Sequence, residues 1–304
     1  MSRVAVVGGA TGVGRTIVEE IAATKKHVVF VFTRNATDVF AHQADVFVVV
    51  VDYSSPSSIA QVLRENEIDT IISTAGVYTD ELAEVQFRLI DAAVQCGTVK
   101  RFVPSDRNYP LSYSVNKNMI IEKLEQTSLE FTRFIIGTFM DYYGHPHAPT
   151  YLLMMAVGID VENAVAALPG DGNVPVTFTY SADVGKFVAA ALDLPQWSTE
   201  SFMAGDKLTF NEMVKLAEKA RGRKFEIHYD PVEKLKAGQV TELPANVQRY
   251  AVFAKEFIDT SICGYELSAA EGWFDLSKPN LNELLPHVKP MTAEQFLNRY
   301  WEGK

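Results

Sequence analysis

Tyr113 and Lys117 form a Tyr-x-x-x-Lys pair, a spacing that projects a phenol and an ammonium from one face of a helix. The cation lowers the pKa of the phenol, which can then pass a proton to a carbonyl oxygen as hydride reaches the carbon. The same spacing recurs at Tyr300 and Lys304 near the end of the sequence, so position must single out the first pair. Tyr113 and Lys117 follow a predicted fifth strand; the alternative for Tyr113 is a packing aromatic beside Tyr109 and Tyr142. Ser105, in Phe102-Val-Pro-Ser-Asp106, ends that strand at the carboxyl edge, where it would either hydrogen-bond a substrate oxygen or cap a turn. His145 and His147 form a His-Pro-His run, but no third ligand stands at a metal-binding spacing. No metal is expected, and a loop touching substrate is the better reading. GxSxG and GK[ST] motifs are missing from the sequence, which removes the main support for hydrolase and NTPase chemistry.

A reaction of this kind needs a hydride carrier, and the residues for one stand at the N-terminus. Arg3-Val-Ala-Val-Val-Gly-Gly-Ala-Thr-Gly-Val-Gly-Arg-Thr-Ile-Val18 runs from a short apolar strand through four glycines into an amphipathic helix. Glycines let the backbone turn tightly and approach a pyrophosphate, and the helix start offers N–H groups and a positive dipole end. Gly8, Gly12 and Gly14 fit a GxxxGxG spacing; Ala10, Thr11 and Val13 complete the loop, and Thr11 and Arg15 are within reach of phosphate oxygens. At the end of the second strand stands Thr33-Arg34-Asn35, with no acid until Asp38. A guanidinium there suits a ribose 2′-phosphate, which a carboxylate would repel, so NADPH is the expected cofactor. Asp52, after the third strand, either caps the adenine site or begins a Ser-rich turn. Thr74-Ala75-Gly76, after the fourth strand, are small enough for backbone to lie against the cofactor.

The elements that must position these residues alternate. Strands are predicted over Val4–Val7, His27–Thr33, Asp45–Val51, Asp69–Ser73 and Arg101–Val103, and near-continuous Val/Ile/Phe runs suit a parallel sheet covered on both faces. Helices are predicted over Gly12–Ala23, Ser57–Glu65 (with Ser54 or Ser55 as N-cap), Asp80–Gln95 and Ser112–Gln126, followed by a strand over Glu130–Ile136. The fold class is α/β: a Rossmann-type parallel sheet with helices on both faces plus a smaller C-terminal substrate-binding part. Residues 1–137 would form the nucleotide domain and 138–304 the substrate part, interleaved with it through a segment 174–204 that returns to the sheet. In the second half, helices are predicted over Asp183–Leu192, Asn211–Ala220, Pro231–Ala237 and Met291–Trp301, the last capped by Thr292, with strands over Val174–Tyr180, Ser201–Met203 and Phe225–Tyr229. Residues 238–290 carry no decisive pattern.

Composition narrows the partners. The net charge of −10 argues against nonspecific binding to nucleic acid or an anionic membrane. No apolar run has the length of a membrane span; the longest, Val46–Val51, is strand-sized. Met1 leads directly into a strand without a secretory pattern, and Cys96 and Cys263 are far apart, so free thiols and a cytoplasmic location are expected.

Val4-Ala-Val-Val-Gly-Gly-Ala-Thr-Gly-Val-Gly-Arg15, the Arg34 strand end, Lys100-Arg-Phe-Val-Pro-Ser105 and Lys117 resemble the NmrA-like/isoflavone reductase-like family of atypical short-chain dehydrogenases. Phe139-Met-Asp-Tyr-Tyr143, Leu168-Pro-Gly-Asp-Gly-Asn173 and Phe178-Thr-Tyr-Ser-Ala-Asp-Val-Gly-Lys-Phe187 resemble its fungal members. The resemblance implies an NADP-binding domain and a C-terminal part closing over a mostly apolar cleft. It also implies that a lysine at Lys117 assists proton transfer and binds the cofactor, with Tyr113 an addition from the wider short-chain pattern. The glycine spacing departs from the family's usual GxxGxxG, because Arg15 takes the third place. The resemblance implies an NADPH-dependent reductase of a small aromatic or polyketide-like substrate, acting on a carbonyl or an activated C=C bond, with a role in secondary metabolism. Its apolar walls would come from Phe139, Met140, Tyr142, Tyr143, Met154 and Met155, with His145 at the substrate. The family also holds non-catalytic members that sense NADP(H) and bind a protein partner, and a lyase or isomerase using the cofactor structurally is a third option. A monomer or homodimer is expected.

Overall fold

The structure is a computed structural model that describes residues 1–76, 80–105, 114–276 and 280–304, with the backbone alone for 114–117. Its elements run β1 (Arg3–Val7), α1 (Gly12–Thr24), β2 (Val28–Thr33), β3 (Val46–Val50), α2 (Pro56–Glu65), β4 (Thr70–Ser73), α3 (Asp80–Cys96), β5 (Arg101–Val103), α4 (Ser114–Glu125) and β6 (Glu130–Phe131). There follow β7 (Arg133–Ile135), β8 (Thr138–Phe139), β9 (Ile159–Asp160), β10 (Val165–Pro169), β11 (Pro175–Thr179), α5 (Ser181–Ala191), β12 (Glu200–Phe202), β13 (Asp206–Thr209) and α6 (Phe210–Arg221). The chain ends with β14 (Glu226–Asp230), α7 (Val232–Lys236), α8 (Pro244–Val247), α9 (Lys255–Ala270), α10 (Asn280–Leu284) and α11 (Ala293–Trp301).

Two compact units result. The first comprises Met1–Ile135, Val184–Met203 and Asn280–Val288. It is built on a six-stranded sheet in the order β3-β2-β1-β4-β5-β6, parallel throughout. This is a Rossmann-type sheet, and its order reverses between β1 and β4. The Val- and Ile-rich strands satisfy a sheet that is covered on both faces. Ala5, Val7, Phe30, Phe32, Ile71 and Phe102 pack with Ile59 and Leu63 of α2, Leu89 and Ile90 of α3 and Ile120 and Leu124 of α4. The alternate residues look the other way: Gly9 lies against Val6 and Val18, and Gly185 of α5 against Thr16 and Glu20 of α1. Of the two serines considered for the α2 cap, Ser55 accepts from the Ser58 N–H, with Pro56 in the first turn.

The strand expected over Glu130–Ile136 changes partner midway. β6 pairs with β5, whereas β7 pairs with β12 in a separate two-stranded ladder. Thr132 stands at the break, its hydroxyl 2.7 Å from that of Ser201. Neither strand of the segment 174–204 joins the six-stranded sheet: among the described residues β12 pairs only with β7, and β11 pairs with β8 and β13.

The second unit comprises Ile136–Asp183, Ala204–Pro279 and Lys289–Lys304. It holds two three-stranded sheets, β14-β10-β9 and β13-β11-β8. Its centre is aromatic: Phe178 meets Tyr143 edge-on at 5.6 Å and Phe210 at 5.9 Å between centroids, and Trp301 Nε1 donates to the Tyr143 carbonyl at 2.7 Å. Thr292 caps α11 reciprocally with Gln295. The stretch 238–290 contains α9, whose inner face includes Glu266 and Ser268 beside Ile258 and Ile262. Those buried polar residues interrupt the apolar period that would have marked the helix.

Candidate functional site

The first unit gathers its small residues at the carboxyl ends of β1 and β4, where ligands of such sheets bind. Gly8 leaves β1 with φ +77° and Gly12 opens α1 at +55°, both in the left-handed region that glycine enters without a Cβ penalty. Gly14 is demanded by proximity: a Cβ there would lie 2.5 Å from the Gly8 carbonyl oxygen and closer still to Thr74 Oγ1. Gly9, not assigned a task from the sequence, is needed for the packing of the loop on Val6 and Val18, with a Cβ at 2.9 Å from Val18. Thr74 ties β4 to β1, its N–H and its hydroxyl both donating to the Val7 carbonyl at 2.9 Å. Ala75 and Gly76 follow it, half-buried.

Helix α1 starts without help from its own side chains. Thr11, at the N-cap in extended backbone, makes no capping hydrogen bond, and the first turn contains no acid. By contrast Ser55, Thr209 and Thr292 all accept at their caps. The first N–H groups of a helix have no intrahelical acceptor, so the α1 start is fitted to an anion. Ala10 and Val13 are half-buried around it, and Thr11 is exposed. Arg15 is half-buried and donates to Glu19 at 3.0 Å, on the helix itself.

Arg34 is exposed directly after β2 and has no hydrogen-bond or ion-pair partner among the described residues. Its charge opposes the burial that pushes the nearby Tyr53 phenol well above its usual range. Asp52, exposed after β3, closes an Asx turn: Ser54 donates its N–H at 2.9 Å and its hydroxyl at 2.8 Å to the carboxylate. These bonds, the backbone one first, hold Asp52 below the ordinary carboxylate range. Ser105 is half-buried after β5, its backbone matched at 3.4 and 3.5 Å by the side-chain amide of the buried Gln86. Lys117 lies in the first turn of α4; its side chain, and Tyr113 entirely, lie outside the described residues.

The residues expected at the substrate separate into two groups. Tyr142, His145 and Met154 line one cleft of the second unit, of about 300 Å3. Phe139 stands beside it, edge-on to Tyr142 at 6.5 Å. Tyr143 belongs to the core instead: it is fully buried against Phe178, because successive residues of the Met140–Tyr143 3-10 turn point to different sides. That turn is held by Asp141, whose carboxylate accepts from Ser181 N at 2.9 Å, Ser181 Oγ at 2.5 Å and Thr150 Oγ1 at 2.7 Å. Met140 is buried as well. Met155, Gln248, Arg249 and Val252 complete much of the cleft; Gln248 and Arg249 come from the stretch with no sequence signal. His145 is held below its usual pKa by burial first and by the Arg249 charge second. His147 packs edge-on to Trp301 at 4.7 Å. Among the described residues no His, Cys, Asp or Glu cluster is arranged for a metal, and no helix is long and apolar enough to cross a membrane.

The parallel sheet, its switch point and the glycine-lined helix start define a Rossmann-type α/β protein. The whole-chain comparison narrows that class. Residues 1–297 match the NmrA-like family, and the chain belongs to it. It is 32% identical over 300 residues to an oxidoreductase of Botryotinia fuckeliana named BOA1, covering 95% of this chain and 96% of that one. It is 30% identical over 334 residues to the oxidoreductase swnN of Metarhizium robertsii, covering 99% and 98%. Among solved structures, the leucoanthocyanidin reductase of Vitis vinifera in its binary complex with NADPH superposes with a TM-score of 0.77 at 19% identity, covering 98% of this chain and 99% of that one.

Proposed function

We propose that the chain is an NADPH-dependent reductase of a small aromatic or polyketide-like substrate, of the fungal type within its family. The observation that carries this reading is the cradle of Gly8, Gly14 and Thr74 at the uncapped start of α1, with an exposed guanidinium at Arg34. A Cβ at Gly14 would collide with the Gly8 carbonyl oxygen and Thr74 Oγ1, so glycine there keeps the loop closed against the helix start. In this reading Gly8, Ala10, Thr11, Gly12, Val13 and Gly14 hold the diphosphate, Arg34 holds the 2′-phosphate, and Thr74, Ala75 and Gly76 flank the cofactor. NADPH, when bound, supplies a hydride. Lys117 manages the proton, alone or through Tyr113, with Ser105 as a hydrogen-bond donor to the substrate oxygen. Tyr142, His145 and Met154 serve the substrate, and a carbonyl is the first choice of acceptor over an activated C=C bond. The description of both fungal relatives as oxidoreductases supports the reading, as does the NADPH in the Vitis vinifera reductase complex. A role in secondary metabolism, a cytoplasmic location and a monomeric or homodimeric state belong to the same proposal.

The test is absorbance at 340 nm with NADPH across quinones, aryl ketones and enones, beside calorimetry with NADPH and NADH. Consumption of NADPH with at least one member is expected. Tight NADPH binding with no consumption would favour a sensor of the dinucleotide, and no binding of either coenzyme would end the proposal.

A further inference from the structure

The cleft of the second unit holds a charge that no described residue neutralises. Tyr142, Met154, Met155, Ile159, Val161 and Val252 give it apolar walls. Arg249 projects into it half-buried, and among the described residues its guanidinium has neither a hydrogen bond nor an ion pair. A guanidinium stays protonated at any physiological pH and presents a planar fork of donors. Leaving it partly desolvated without an acceptor is unfavourable. Other groups in the cleft could supply the missing negative charge, and neither carboxylate does. Asp160 is buried, and its oxygens are committed to Asn163 N at 3.1 Å, Asn163 Nδ2 at 2.9 Å and Ala245 N at 2.8 Å. Glu162 is exposed and forms no ion pair with Arg249, so water screens it at the rim. His145 shares the cleft and carries no competing positive charge at neutral pH. Tyr142 is already in edge-on contact with Phe139 and Tyr265, which fixes its ring as a wall for another aromatic group.

We infer that this cleft binds an aromatic carboxylate, with the ring against Tyr142 and the methionines and the carboxylate on the Arg249 guanidinium. The volume of about 300 Å3 stands at the lower end of small-molecule sites, which span roughly 300–1,000 Å3, and suits one or two fused rings. Treating that ligand as the substrate rests on the reductase reading; its binding by Arg249 does not. An acid function on an aromatic body would then be what distinguishes substrates from neutral analogues of the same size.

The experiment is calorimetry on the full chain without cofactor at neutral pH, with 1-naphthoate and 1-naphthalenemethanol as probes. The carboxylate is expected to bind at least about tenfold more tightly, the effect of one charge-assisted contact. Arg249→Met should reduce 1-naphthoate to the affinity of the alcohol and leave the alcohol unchanged, while Arg249→Lys keeps part of the preference. Melting curves establish that both variants are folded, as expected for a side chain with no hydrogen-bond or ion-pair partner among the described residues. Equal affinity of the two probes, a preference that survives Arg249→Met, or no heat from either probe would each overturn the inference. A chain that binds 1-naphthoate through Arg249 and oxidises no NADPH keeps this site and loses the reductase; the converse result does the opposite.

Discussion

The carbonyl oxygen of Gly8 and the Cα of Gly14 approach so closely that a Cβ on Gly14 would sit 2.5 Å from that oxygen. The loop between them is therefore folded back on itself, with Thr74 closing the other side. Gly12 differs, because a Cβ there would meet nothing within 4 Å and only its φ of +55° favours glycine. Gly14→Ala should lower stability by about 1–3 kcal/mol through overpacking and abolish NADPH binding. Gly12→Ala should cost only about 1 kcal/mol, the usual penalty of one left-handed residue. Urea titrations of the two variants check the order, and a larger loss at Gly12 would contradict it.

Arg34 sets coenzyme choice in the proposed site. Because it is exposed, solvent screening limits each contact, and Arg34→Asp should weaken NADPH binding about tenfold while leaving NADH binding unchanged or improved. Calorimetry with both coenzymes reads the ratio; a ratio equal to that of the parent chain removes Arg34 from the 2′-phosphate site.

Lys117→Met should lower kcat by about 10²- to 10⁴-fold, the usual range for losing a proton-transfer group, with the far-ultraviolet circular dichroism unchanged. Tyr113→Phe then divides the two routes. A comparable loss assigns the phenol to the relay, and full turnover leaves the work to Lys117. Undiminished kcat in Lys117→Met would clear the lysine.

Glu266 predicts a pH dependence. It is fully buried on α9; Oε1 accepts from Gly158 N at 3.2 Å, and Oε2 has no partner among the described residues. Burial first, and the Asp230 carboxylate second, push its pKa well above the usual range. In the unfolded chain it ionises near ~4.3. The folded state thus retains a proton that the unfolded state releases. Its contribution is full below the unfolded pKa and is lost as pH rises to the folded one, at about 1.4 kcal/mol per unit. Glu266→Gln keeps an acceptor for Gly158 and should flatten that decline, leaving the variant more stable than the parent at pH 8. Denaturant titrations between pH 4 and pH 8 measure the slope. Parallel curves for the two proteins would show that Glu266 does not cause it.

Much of the first unit was legible in the residues themselves. The strands β1 to β5 and their helices were readable because Val and Ile runs suit buried parallel strands. The Ser54-Ser55 pair and Thr292 marked helix starts because a cap is an interaction across three residues, and the structure selected Ser55 of the pair. Gly8 and Gly12 were readable as turn positions because positive φ is a local demand. Other features were not local. α9 was missed because its buried Glu266 looks like a surface residue until Gly158, far away in the chain, supplies its donor. Tyr143 read as a wall of the substrate cleft, and only its neighbours, Phe178 among them, placed the ring in the core.

The sequence by itself determined the α/β alternation, the glycine turn and the cation after β2, since each depends on backbone sterics or on residues a few places apart. Tertiary structure alone decided that β7 leaves β6 for β12, that Gly14 is required by the Gly8 carbonyl, and that Arg249 shares a cleft with His145. Those relations join segments distant along the chain, and no propensity or spacing encodes a contact that exists only after the chain has packed.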